Sequence, residues 1–164
     1  MSGLSFKITI RRQLSMLSWM LIVYGLLGLV YVYFFGFKIN RFFALAFLAA
    51  FLFDICPALI AHIQYYIANS HATLTIDKED QILMYNSPKE CMSYHFDDIA
   101  VVEHVASYGG GAWYSFSEYR YFRITFKDKK QLIITCLMME DIKDTLEMLL
   151  RVRAQKKMKL VAFI

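Results

Sequence analysis

The chain has 164 residues, 58% hydrophobic and 16% aromatic, and 18 Lys and Arg against 14 Asp and Glu give it a net charge of +4. That apolar content excludes a disordered chain, and basic residues spread over no single motif set nucleic-acid binding aside. Cys56, Cys91 and Cys136 form an odd, scattered set, which argues against a disulfide framework and fits a reducing compartment.

Residues 1–13 are a basic lead-in carrying Lys7, Arg11 and Arg12. Residues 14–37 then hold no charge. At about 1.5 Å per helical residue they are long enough to cross a hydrocarbon core of about 30 Å. Residues 42–68 are similarly long, interrupted by Asp54, Pro57 and His62. The break Lys38-Ile39-Asn40-Arg41 is so short that the two segments are expected to form an antiparallel transmembrane hairpin. Trp19, Tyr31, Tyr33, Tyr65 and Tyr66 stand toward the ends, where amphipathic rings favour headgroups. A cleaved signal is set aside because the first run is too long and a second follows at once. Arg11 and Arg12 before the first span, with the many basic residues after the second, place both termini and the C-terminal domain in the cytoplasm.

Asp54 needs a partner, because a carboxylate at the centre of a span costs about 2.5–3.5 kcal/mol. Folding the hairpin about residue 39 sets Asp54 at the depth of Tyr24, whose phenol can donate to it. The same register sets Ala50 near Gly28, and Ala46, Ala50 and Asp54 form a stripe suited to close helix approach. Asp54 with Tyr24 is read as an intramembrane polar pair; the sharper alternative is an ion site or a docking point for a third helix. Pro57 is expected to kink the second span. His62 reads as a hydrogen-bonded or snorkelling residue.

After residue 68 the period changes from helical to alternating, and residues 69–155 are expected to form one small domain. Strands are read at 72–76, 82–85, 91–96, 99–106, 121–127 and 131–136, separated by polar turns too short for crossover helices. Phe122, Ile124 and Phe126 alternate with Arg123, Thr125 and Lys127, the pattern of a half-buried strand. Met139, Ile142, Leu146, Leu149 and Leu150 then fall on one face of an amphipathic helix. Glu140 and Asp141 complement its start, and Arg151 and Arg153 its end. The tail 156–164 carries Lys156, Lys157 and Lys159 ahead of five apolar residues. It either touches anionic lipid or packs on the domain.

The stretch Tyr108-Gly109-Gly110-Gly111-Ala112-Trp113-Tyr114-Ser115-Phe116 joins a floppy backbone to adhesive rings. Tyr108, Trp113, Tyr114 and Phe116 are binding candidates at a hairpin tip that reaches a membrane or a partner; the plainer reading folds them back on the sheet. No Lys-Ser or Lys-Thr follows the glycines, so they are no phosphate cradle. Cys91 with His95 is half a metal site and lacks a second pair. Asp97 and Asp98 belong to a turn, with no nucleophile beside them. No catalytic residue, metal, cofactor or small-molecule substrate is expected.

Short antiparallel strands closed by one amphipathic helix resemble a pleckstrin-homology-like domain, nearest to bacterial membrane proteins in which a helical hairpin precedes it. Tyr94-His95-Phe96-Asp97-Asp98-Ile99 is similar to that family's step into a strand. Residues 126–134, Phe126-Lys127-Asp128-Lys129-Lys130-Gln131-Leu132-Ile133-Ile134, look like its late hairpin. The resemblance implies a partly open antiparallel β-barrel plugged by the helix, an inner-membrane location and no catalysis. Six strands are read where that fold usually has seven. The missing one is sought just after Ala68 or near Tyr114. The expected function is a membrane-anchored binding or scaffold module that engages a protein partner, a second copy or inner-leaflet lipid. The alternative is an accessory subunit of a membrane transport or effector complex assembled through Asp54, with Arg11, Arg12, Lys156, Lys157 and Lys159 at the membrane surface in either case.

Overall fold

The computed structural model describes residues 3–36, 41–108, 114–139, 142–150 and 152–164, the Trp19 side chain excepted. Eight strands and three helices follow one another among these residues. They are β1 Leu4–Lys7, α1 Ile10–Phe35, α2 Arg41–Asn69, β2 Thr73–Asp77, β3 Ile82–Asn86, β4 Cys91–His95, β5 Ile99–Ser107, β6 Arg120–Phe126, β7 Gln131–Thr135, α3 Ile142–Leu150 and β8 Gln155–Lys159. One four-stranded sheet has the order β1-β2-β3-β4 and the other β7-β6-β5-β8. They remain two sheets, so the barrel is not closed.

The strands read from alternation all form, but two more exist that alternation did not reveal. Leu4–Lys7, expected to be a lead-in, lies antiparallel on β2, with Leu4 opposite Ile76 and Phe6 opposite Leu74. Phe6 is half-buried against the core. The strand sought after Ala68 or near Tyr114 therefore comes from the far side of both long helices. Gln155–Lys159, expected to end the domain at 155 and begin a basic tail at 156, runs parallel to β5 with His104 opposite Lys156. A parallel neighbour departs from the simple meander that the short turns suggested.

Both sequence motifs that carry the family likeness meet where the two sheets turn toward each other. The Tyr94 ring stacks on Phe126 at 3.8 Å between centroids. The Tyr94 hydroxyl donates to Asp128 Oδ2 at 2.6 Å, and the Lys127 amide donates to the Asp98 carbonyl at 2.9 Å. The shared proton pushes the Tyr94 phenol up to about 12 and holds Asp128 below the usual carboxylate range. Asp97 and Asp98 sit in a 3-10 turn that His95 caps, the Asp98 carboxylate accepting from the His95 amide. Lys129 takes φ 70° in the turn between β6 and β7, where Asp128 Oδ1 accepts from the Lys130 amide at 3.0 Å.

The core lies between the sheets and α3. Ile142, Leu146, Leu149 and Leu150 of α3 are buried in one core cluster with Phe122, Ile124, Phe126, Leu132 and Ile134. Glu140, Asp141 and Arg151, invoked for the poles of this helix, lie outside the described residues. His104 is buried in this layer, stacked on Phe122 at 4.8 Å, and its Nε2 has no hydrogen-bond partner among the described residues. Burial lowers its pKa below 6.5; Arg120, Lys143 and Lys156 lower it further, against Glu147.

The two long helices lie antiparallel. Tyr31 meets Phe43 at 4.2 Å and Tyr24 meets Phe47 at 6.3 Å between ring centroids. Thr9 caps α1 by accepting from the Arg12 amide, and Gly36, at φ 62°, ends it. α2 is long and apolar enough to cross a membrane. α1 qualifies only as the pair Ile10–Ser18 and Met20–Phe35, bent by 41°. Pro57 lacks the amide that an unbroken helix needs. The chain answers with a π-helical turn at Phe51–Ile55, in which the Cys56 amide donates to the Phe51 carbonyl. Close approach at Gly28 does not occur. A Cβ there would meet nothing within 4 Å, and Gly28, Tyr31, Phe43, Ala44, Phe47, Leu48 and Phe51 line an apolar cavity of about 410 Å³.

Two outcomes follow. Asn69 is fully buried; its Nδ2 donates to the Ile133 carbonyl at 2.8 Å and its Oδ1 accepts from the Thr135 amide at 3.0 Å. Asn69→Ala strands both groups and should cost about 3 kcal/mol in denaturant unfolding, with faster hydrogen exchange at the Thr135 amide. For His104 the folded pKa lies below the unfolded value. Stability is therefore full above pH 6.5 and falls as the pH drops toward the folded pKa, where only the unfolded chain takes the proton. Unfolding midpoints measured from pH 7 down to 5.5 should decline, and His104→Phe should flatten that decline.

Candidate functional site

The site begins on one stripe of α2. Ala58, Ala61, His62, Tyr65 and Asn69 recur at three- and four-residue spacing, the period of one helix face, and all are buried. His62 Nδ1 lies 3.0 Å from the Tyr119 hydroxyl. Tyr65 packs edge-on against Tyr119 and Tyr121 and donates to the Ala162 carbonyl at 2.8 Å. Burial pushes the Tyr119 phenol up, so it stays protonated as a hydrogen-bonding partner. The final turns of α2 are thus part of the folded domain's core.

Asp54 continues the same stripe one turn earlier, inside the π-helical turn. Its carboxylate accepts three hydrogen bonds. The Tyr24 hydroxyl donates to Oδ2 at 2.6 Å, the Ser115 amide to Oδ1 at 2.6 Å and the Ser115 hydroxyl to Oδ2 at 2.8 Å. The two candidate sites read from the sequence, the Asp54–Tyr24 pair and the aromatic stretch, are therefore one place. Ser115 opens a 3-10 turn, Ser115–Glu118. Asp54 satisfies its first amide, as a capping carboxylate does.

The aromatics divide. Phe116 is buried in the core and Tyr114 stacks on it at 5.3 Å, with Tyr114 56% and Tyr108 58% exposed. Trp113 and the three glycines lie outside the described residues. Part of the stretch folds back on the domain, and part faces outward.

The basic candidates are spread over two places. Arg11 and Arg12 stand in the first turn of α1, and the Arg12 Nε donates to the Cys136 carbonyl at 3.2 Å. With Lys7, Thr9, Ser15 and Met138 they line a polar cleft of about 360 Å³. Lys157 pairs with Glu103, which also meets Arg123 at 3.5 Å. Lys159 donates to the Tyr121 hydroxyl at 3.3 Å and the Phe163 carbonyl at 3.0 Å. Lys156 is exposed on β8. Beyond β8 the tail packs on the domain: Ala162 is buried, its amide donates to Ser107 Oγ at 3.0 Å, and the Ile164 amide donates to Gln64 Oε1 at 3.2 Å. Of the two placements open for the tail, this is the one adopted.

Among the described residues no three His, Cys, Asp or Glu side chains gather to hold a metal ion. Cys136 is buried and its thiol is pushed up to about 11 by burial, which leaves it a poor nucleophile. Sequence reasoning missed Ser115, His62 with Tyr119, and Asn69. A signal existed: Asp54, Ala58, Ala61, Tyr65 and Asn69 form a small-and-polar stripe running down the second segment, whereas the stripe read from Ala46 runs up it.

Because Asp54 is shared, the contributions of its partners should not add. Tyr24→Phe and Ser115→Ala should each cost about 1–2 kcal/mol and Asp54→Ala more, as hydrogen bonds to a charged group. A double-mutant cycle between Tyr24 and Ser115 should show a coupling of at least about 0.5 kcal/mol, read from unfolding in detergent.

Residues 5–144 match the family model of the PH domain. The match opens in β1 and runs through both long helices to α3, so it counts the first strand with the domain. No curated protein matches the chain.

Proposed function

The chain belongs to the PH domain family, and from that premise we propose a membrane-anchored binding module whose domain engages a protein partner at the cytoplasmic surface. PH domains are characteristically non-catalytic binding or scaffold modules. The observation that carries the anchoring is the apolar surface of α1 and α2. Leu29 is 68%, Phe34 71%, Phe42 79% and Phe53 78% exposed, far beyond the patches that a soluble monomer tolerates. Lipid is the medium that such a surface fits. The same α2 that would cross the bilayer ends inside the domain, so the domain is fixed in orientation and held against the inner face. Anchoring of this kind raises the effective concentration of weak contacts.

An accessory subunit docking a partner helix on Asp54 is less well supported. Three hydrogen bonds from Tyr24 and Ser115 already occupy that carboxylate.

The test has two arms on the full chain. Cys91 is the exposed cysteine of the three. A membrane-impermeant maleimide should leave it unlabelled in intact cells and label it after permeabilisation. Mild-detergent purification with crosslinking should then recover a stoichiometric protein partner. Labelling in intact cells would overturn the cytoplasmic placement, and recovery of the chain alone with lipid would overturn the protein-partner reading.

A further inference from the structure

We propose that Tyr114 and the turn Ser115–Glu118 lie within the inner leaflet, and that the partner of the exposed Tyr114 face is the acyl-chain region of lipid below the headgroups. The inference rests on the reading that α1 and α2 span the membrane, and it names what this part of the site touches.

Asp54 stands thirteen residues beyond Arg41 in one continuous helix, roughly 20 Å along its axis. Tyr24 stands eleven residues before Phe35, roughly 17 Å along α1. Both paths start at the tip of the helix pair and reach the same carboxylate, so the two estimates agree. With the tip at the far face of a core about 30 Å thick, Asp54 lies roughly 10 Å short of the near boundary. His62, eight residues farther on, falls at that boundary. Ser115 is bonded directly to Asp54 through two atoms and must share its depth. Tyr119, bonded to His62, marks where the chain leaves the hydrocarbon.

The turn is built for such a place. Irregular backbone at membrane depth is tolerated only where its polar groups are satisfied by protein. Here the Ser115 amide and hydroxyl go to Asp54. The Ser117 amide and hydroxyl go to the Tyr114 carbonyl at 3.0 and 2.7 Å, and the Tyr119 amide goes to the Phe116 carbonyl at 3.2 Å. Tyr114 presents an amphipathic ring outward, the side chain favoured at the bilayer interface. Glu118, exposed and directly before Tyr119, stands at the end of the turn nearest the water. The consequence is asymmetry: helix pair and turn displace lipid from the inner leaflet, and the helix pair alone does so in the outer one.

The full chain, freed of its cysteines and reconstituted in phosphatidylcholine–phosphatidylglycerol vesicles, tests this with spin labels on Tyr114→Cys, Leu26→Cys and Lys89→Cys. Accessibility to oxygen and to a water-soluble nickel chelate is then compared. Leu26 is 57% exposed near the middle of α1, and Lys89 is exposed in the turn between β3 and β4. The expected result is an oxygen-to-nickel ratio at Tyr114 severalfold above that at Lys89 and below that at Leu26. Nickel access at Tyr114 with Leu26 still oxygen-rich would overturn the proposal and leave the spanning reading standing. Nickel access at both would overturn the spanning reading itself. Exclusion of both reagents from Tyr114 would also overturn the proposal, in favour of a contact with a second copy. Tyr114→Trp in a chain also carrying Trp19→Phe and Trp113→Phe, read through quenching by lipids brominated at known depths, repeats the test with a side chain of similar character should the labelled variant not fold.

Discussion

One face of α2 holds the molecule together. Along it Asp54 receives Ser115, His62 meets Tyr119, Tyr65 reaches Ala162, and Asn69 takes both a donor and an acceptor from β7. Each bond joins a helix that begins at Arg41, among exposed apolar side chains, to a different part of the domain. Without that seam the domain would keep the links at Ile8 and Ser70 and the contacts of the first turns of α1, where Arg12 donates to the Cys136 carbonyl and Met20 enters the core. With it the domain has a fixed orientation on the helix pair, which a mobile linker would not provide.

The seam also explains how a carboxylate is kept so far along an apolar helix. Insertion of an unpartnered Asp at a span centre costs about 2.5–3.5 kcal/mol. Hydrogen bonds to a charged acceptor return about 1.5–3 kcal/mol each, and Asp54 has three. The π-helical turn contributes by changing the phase of the helix just before Pro57, so that the irregularity required by proline coincides with the residue that must face the domain. The polar site and the aromatic stretch thereby meet at one carboxylate, which joins α1, α2 and the turn at Ser115.

The domain itself is closed by parts far apart in sequence. β1 precedes both long helices yet lies on β2, and β8 follows α3 yet lies on β5. The long helices thus stand between β1 and β2, and the first sheet completes only after α2 has returned. In the second sheet Glu103 is paired with Arg123 and Lys157. Lys7, Arg11 and Arg12 line a polar cleft at the first turn of α1.

Much of this was legible in the residues. The two apolar runs, the six alternating strands, the amphipathic face of α3, and the pairing of Tyr24 with Asp54 all follow from local period and from folding a chain back at a short break. Those signals are local, and local geometry fixes them. β1 was not legible because four residues carry too little alternation to stand out, and pairing with β2 across more than sixty residues is what makes them a strand. β8 reads as a basic tail because three of its five residues are lysines, whose heads remain outside while the backbone joins a sheet. Ser115 has no distinguishing signal at all: its role exists only because two distant turns are brought to one carboxylate. Period and hydropathy determined which segments are helix, strand and apolar surface. The tertiary structure decided which of their polar atoms meet, because a hydrogen bond depends on positions a few ångströms apart that no spacing along the chain encodes.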